Sequence, residues 1–221
     1  MPEKILWPFS RLYDRYPNRI FTKWFRLIAK NIKDGQISGT VLDIGTGPGR
    51  LPIEIAKQVV NAQVVGIDLS EDMVKIAKGH AEKAGLADRV KFKVASAYNT
   101  GSEDNSVNLV VSTGMLHHLK EPIRAFNEIY RILRPGGQAW IFDGRKDVTK
   151  AEFEETVRSL GIESDLPLPL WIIERVWPHW HVGCKTEVYV SGKIGRALKE
   201  SLFKDYSVKN EGAYVRIVLK K

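Results

Sequence analysis

Short apolar runs and longer segments with apolar residues every three or four positions alternate along this chain. From Asn18, Ile20, Phe21, Trp24, Phe25, Leu27, Ile28 and Ile32 recur at helical spacing, with Arg19, Lys23, Arg26 and Lys30 between them, which predicts an amphipathic helix packed on a core. Compact runs predict buried strands at Val41–Ile44, Val64–Ile67, Val90–Val94, Val107–Ser112 and Ala139–Phe142. Between them the pattern predicts helices over about 50–60, from Ser70 to Gly85, and from Pro122 to Leu133. Ser70 suits a helix N-cap, Met73, Val74, Ile76 and Ala77 form its inward face, and Arg134-Pro135-Gly136-Gly137 is a stop signal. Beyond these come a helix near 150–160, a last helix near 191–203, and two runs, Tyr206–Val208 and Tyr214–Leu219, joined at Glu211-Gly212 as a hairpin. Strands alternating with helices of ten or more residues imply right-handed crossovers and a parallel sheet covered by helices on both faces.

Two segments fall outside this rhythm. Residues 1–38 form an aromatic, basic arm (Trp7, Phe9, Tyr13 and Tyr16 among others), and residues 163–184 form a Trp- and Pro-rich insert. We therefore divide the chain into an arm (1–38) and one domain (39–221). The arm and the insert, which flank the core, are expected to form a substrate lid. The alternative for the insert is a homodimer interface.

Charge sharpens the division. The net +8 is carried by the flanks: residues 1–38 hold 8 basic and 3 acidic side chains, residues 185–221 hold 9 and 4, and the core between them holds 17 and 19. Such flanks suit either solvated helix faces or an anionic partner such as nucleic acid. The single cysteine, Cys184, excludes an intramolecular disulfide. With no apolar run long enough for a membrane span and no signal-like apolar core at the start, the expected location is the cytoplasm.

The chemistry concentrates at VLDIGTGPGR, residues 41–50. A strand runs into Gly45, Gly47 and Gly49, and a helix opens directly afterwards. Alternate glycines permit backbone dihedrals closed to other residues and leave no Cβ to hold a ligand away. Asp68 ends the second strand, where an acid commonly accepts from ribose hydroxyls, and Ser96-Ala97 follows the third. The spacing Gly-x-Gly-x-Gly differs from the Gly-x-Gly-x-x-Gly of dinucleotide sites, and no Walker lysine-serine pair is present.

Five segments, VLDIGTGPG (41–49), VVGIDLSEDMVKIAK (64–78), VKFKVASA (90–97), DNSVNLVVSTGMLHHL (104–119) and EIYRILRPGGQAWIFD (128–143), together resemble the class I S-adenosylmethionine-dependent methyltransferases, in particular small ones of the ubiquinone/menaquinone-biosynthesis type. The resemblance covers most of residues 40–143. It implies a Rossmann-like, doubly wound α/β fold with a mostly parallel seven-stranded sheet, an antiparallel C-terminal strand and helices on both faces. It also implies S-adenosylmethionine as cofactor, with S-adenosylhomocysteine as product and no metal. Asp43 with the backbone at Gly45, Thr46, Gly47 and Gly49 would hold the methionine end. Asp68 would take the ribose, Leu69 and Met73 would lie against the adenine, Ser96 and Ala97 would edge it, and Thr113 would meet the amino-acid end. Ser96 stands where such proteins often carry an aspartate, so that contact lacks charge assistance.

Bland readings stand beside these. Asp68 could simply cap the helix begun at Ser70, and Met73 could be ordinary core. His117 and His118 could serve structure rather than proton transfer; His181 and Tyr13 are further candidates for a general base. His179, His181 and Cys184 do not amount to a metal site, having no fourth ligand. The expected function is methyl transfer by in-line displacement to a small or medium organic acceptor. The alternatives are an RNA or protein methyltransferase, suggested by the basic flanks, and a non-catalytic cofactor-binding protein. The chain lacks an Asn-Pro-Pro-Tyr-like loop and a Pro-Cys nucleophile, which weighs against the former.

Overall fold

A computed structural model describes residues 18–162 and 183–221. Tyr13, His179 and His181, and most of the arm's first half and of the insert, lie outside the described residues, and so does the lid or interface expected of them.

Seven strands form one sheet in the order β3-β2-β1-β4-β5-β7-β6. The strands are β1 (Gly39–Ile44), β2 (Ala62–Asp68), β3 (Val90–Val94), β4 (Val107–Thr113), β5 (Leu133–Gly144), β6 (Asp205–Glu211) and β7 (Tyr214–Lys220). The first five pair in parallel, and β7 runs antiparallel to both β5 and β6. The order reverses between β1 and β4. That reversal opens a crevice at the carboxyl ends of the strands, where doubly wound sheets bind ligands.

The helices among the described residues are α1 (Asn18–Asp34), α2 (Arg50–Gln58), α3 (Glu71–Lys83), α4 (Pro122–Ile132), α5 (Lys150–Leu160), α6 (Thr186–Val190) and α7 (Lys193–Glu200), with a 3-10 turn at Leu116–His118. The apolar runs of β1, β4 and the second half of β5 are continuous because these central strands are buried on both faces. Leu42, Val110, Ala139, Ile141 and Ile217 pack with Phe126 and Ile129 of α4 and Leu198 of α7. Val41, Leu109, Val111, Trp140 and Phe142 pack on the opposite side with Ile28 and Ile32 of α1, Ile55 of α2 and Val74 of α3. Trp24 anchors α1, its ring edge-on to Phe142 at 5.8 Å and 5.1 Å from Tyr214.

Most elements fall where the pattern puts them, and the differences have causes. Strand β5 begins at Leu133 rather than Ala139. Leu133 pairs with Val107, then the register shifts so that Gln138 pairs with Leu109, and the Arg134–Gly137 stop signal becomes a bulge. Lys221 secures that bulge, accepting from Gly136 N–H and donating to Gly137 O. The last helix predicted near 191–203 is the shorter α7, and a further short helix, α6, precedes it. They break at Ser191-Gly192, where both N–H groups turn back to Glu187 O. On α3, Met73, Val74 and Ala77 are buried as expected, whereas Ile76 is half-buried at the edge of the face.

Candidate functional site

The glycine loop between β1 and α2 is held through its own backbone groups. Gly45, Gly47 and Gly49 all have positive φ (76°, 51° and 76°), so the loop needs glycine at each. Gly45 N–H and Thr46 N–H both donate to Ile67 O at 2.9 Å, drawing the loop onto the end of β2. Asp68, at that end, completes the junction: Oδ2 accepts from Gly47 N–H at 2.9 Å and Oδ1 from Ser70 N–H at 2.8 Å. Asp68 thus does bond the start of α3, as the bland reading had it, and binds the loop as well. Ser70 itself accepts from Met73 N–H as the N-cap. Leu69 is half-buried and Met73 fully buried.

Beneath the loop lies Asp43, 1% exposed. Burial pushes its carboxyl up to about 7; Thr46 beside it favours the ionised form, and Asp68 disfavours it. Neither Asp43 Oδ1 nor Thr46 Oγ1 completes a hydrogen bond, although both are buried. Unsatisfied buried oxygens are uncommon and costly. Two of them beside a side-chain-free loop suit a ligand that brings N–H donors and positive charge.

The other predicted positions line the same edge of the sheet. Ser96 Oγ accepts from Tyr98 N–H at 3.1 Å in a tight turn, and Ala97 is buried. Thr113 ends β4, and Ser112 before it donates to Ile44 O at 2.8 Å, tying β4 to β1 just below the loop. Met115 lies against the first glycine, since a Cβ built on Gly45 would come 2.7 Å from Met115 Cγ.

Two residues on, a second cluster begins. Asp143, fully buried at the end of β5, accepts from His117 N–H (Oδ2, 2.7 Å), from Gly144 N–H (Oδ1, 2.9 Å) and from His117 Nδ1 (Oδ1, 2.6 Å). His118 stacks on His117 with ring centroids 3.9 Å apart. Tyr189 of α6 donates to Gly144 O and accepts from Cys184 N–H, both at 2.9 Å. Burial, followed by the Asp143 charge, raises both the Tyr189 hydroxyl and the Cys184 thiol. Sequence reasoning named Asp143 only as a strand end and passed over Tyr189. The signal was available in the first case, because IFD closes β5 as GID closes β2. Among the described residues no group of three or more acidic, histidine or cysteine side chains is placed to hold a metal.

Residues 41–137 match the family model for a methyltransferase domain. The chain is 29% identical over 149 residues to a ubiquinone/menaquinone biosynthesis C-methyltransferase of Geotalea daltonii, covering 64% of this chain and 63% of the relative. Over 135 residues it is 33% identical to phosphoethanolamine N-methyltransferase 1 of Arabidopsis thaliana, covering 60% and 26%. The chain therefore spans less than two thirds of these relatives' own length. Among solved structures, a SAM-dependent methyltransferase from Aquifex aeolicus superposes with TM-score 0.61 at 25% identity, over 86% of this chain and 87% of that one. A Methanococcus maripaludis structure assigned to the S-adenosyl-L-methionine-dependent methyltransferases superposes with TM-score 0.73 at 26% identity, over 96% and 91%. The observed sheet, with its antiparallel β7, is the one the five segments implied. No helix among the described residues is long and apolar enough to cross a membrane.

Proposed function

We propose that this chain is an S-adenosylmethionine-dependent methyltransferase acting on a small organic acceptor in the cytoplasm. The observation that carries the reading is the buried, half-satisfied Asp43 beneath a three-glycine loop that is hydrogen-bonded to Asp68. The residues fit the cofactor. Asp43 and Thr46 offer unpaired oxygens to its ammonium group, and the positive-φ backbone of the glycine loop borders its amino-acid end, the missing Cβ atoms of Gly45 and Gly49 making room for Met115 and for Phe92 and Ala77. Asp68, fixed at the tip of β2 by two backbone N–H groups, is the acceptor proposed for the ribose hydroxyls. Leu69 and Met73 supply apolar surface for the adenine, Ala97 and Ser96 its edge, and Thr113 borders the amino-acid end. The Ser96 hydroxyl already accepts one N–H, so its contribution there is the weakest of the set.

When bound, the cofactor supplies an electrophilic methyl carbon on a sulfonium. The chain's part is alignment and exclusion of water, and well-oriented reactants gain about 7–11 kcal/mol in this way. The relatives' names, a C-methyltransferase of ubiquinone/menaquinone biosynthesis and a phosphoethanolamine N-methyltransferase, support a small acceptor. So do the C-terminal lysines, several of which are engaged within the protein instead of forming an anion-binding face. Lys220 pairs with Asp205, Lys221 donates to Tyr130 O, and Lys193 donates to Leu119 O. The test is calorimetric titration of the full chain with S-adenosylmethionine and S-adenosylhomocysteine, followed by incubation of labelled cofactor with small-acceptor pools and with RNA. Saturable binding and label in a small product are expected; absence of binding overturns the reading.

A further inference from the structure

The pairing of His117 with Asp143 is not needed to hold a cofactor on the glycine loop. Both Asp143 oxygens already accept backbone N–H groups, so the carboxylate acts as acceptor and the facing Nδ1 of His117 carries the proton. The neutral ring is thereby fixed in the tautomer with a bare Nε2. No hydrogen bond reaches Nε2 from any described residue, although the side chain is only 3% exposed. Behind it, a carboxylate fixed by backbone donors is the arrangement that stabilises an imidazolium when Nε2 takes a proton.

Position adds the second half of the argument. The turn bearing His117 follows β4, the strand beside β1, and Met115 of the same turn lies against Gly45. The dyad therefore borders the loop on the side away from Asp68. If the ribose lies toward β2, the reacting end lies toward β4 and β5.

We infer that His117 is the general base of the transfer and Asp143 its positioning residue, and hence that the acceptor attacks through an atom bearing a proton: a hydroxyl, an amine, a thiol or an acidified carbon. This rests on the function proposed above. The acceptor atom's electron pair forms the bond to the methyl carbon, the sulfonium sulfur keeps the pair of the broken C–S bond, and the acceptor's proton passes to His117 Nε2 and then to water. The groups that bear on the titration of His117 are Asp143, the stacked His118 ring, and Tyr189 and Cys184 beside Asp143, with Lys146 and Lys193 acting on Cys184.

The test uses the full chain. Nitrogen-15 NMR of the histidine rings near neutral pH should show His117 protonated at Nδ1 and bare at Nε2; the opposite tautomer overturns the assignment. Catechol, a primary amine and a thiol then serve as probe acceptors with S-adenosylmethionine. His117→Gln should bind the cofactor with wild-type affinity by calorimetry. It should lose about 100-fold or more in turnover, together with the acidic limb of the pH profile, and imidazole added to His117→Gly should restore part of the rate. A His117→Gln variant with wild-type rate and pH profile overturns the assignment. So does a wild type that binds the cofactor yet methylates none of the three probes. Failure of the wild type to bind the cofactor is distinguishable from these: it overturns the parent reading, and this assignment with it.

Discussion

The two halves of the sheet's carboxyl edge are built in opposite ways. At β1 and β2 the glycine loop is held by main-chain bonds, and the acid beneath it, Asp43, is left short of a partner. At β4 and β5 the buried acid, Asp143, accepts three hydrogen bonds and fixes an imidazole. An undersatisfied acid costs stability in the free protein and is ready for a cationic ligand. A satisfied one stabilises the fold and orients what it holds. The first arrangement suits binding, the second suits positioning.

The sharpest way to break this contrast is at Asp143. Asp143→Ala strands the His117 ring and two backbone N–H groups in a buried site, and should lower stability in urea by about 3–5 kcal/mol. A loss under about 1 kcal/mol would mean that the β5 acid does not hold its neighbours.

At Asp43 the expected behaviour is opposite and depends on pH. Its folded pKa of about 7 lies above the ordinary 3.8, so the folded state binds more protons between those values, and stability falls as pH rises from about 4 toward 8. The gap of about three units sets an upper bound of roughly 4 kcal/mol. Asp43→Asn should flatten that slope in urea titrations at pH 5 and pH 8. For the same reason, S-adenosylmethionine should bind with release of a proton near pH 6, seen as a buffer-dependent heat, and less tightly as pH falls. Proton-neutral binding would remove Asp43 from the ammonium site.

Asp68→Ala should weaken S-adenosylmethionine binding by about 1–3 kcal/mol, because it removes the proposed ribose acceptor and the bonds to the Gly47 and Ser70 N–H groups together. Unchanged calorimetric affinity would return Asp68 to a purely capping role.

The smallest effect lies away from both halves, at Glu152. Bonds from Arg145 and from Thr149 at the capping box hold its carboxyl down to about 2. Its contribution is present above the ordinary 4.5 and is lost as pH falls toward 2. Because the side chain is 36% exposed, Glu152→Gln should cost under about 1 kcal/mol at pH 7. A larger loss would show that Arg145, which also donates to Thr186 and to Gly212 O, depends on Glu152 to tie α5, α6 and the hairpin together.

Periodicity and glycine spacing alone specified a doubly wound sheet, the loop after β1, the acid at the tip of β2 and the terminal hairpin. Each is a local signal: an apolar run, an alternation, a residue type at a strand end. Bulges and breaks escaped, because the Arg134–Gly137 segment joins the sheet only through Val107 and Lys221, partners far away in sequence. His117 was legible as one of several candidate bases, and only its bond to Asp143, 26 positions further on, sets it apart from the others. Asp43 was legible as a motif member, but its raised pKa is not a property of the motif. Burial on β1 between β2 and β4 removes its water, and only the folded chain supplies that burial.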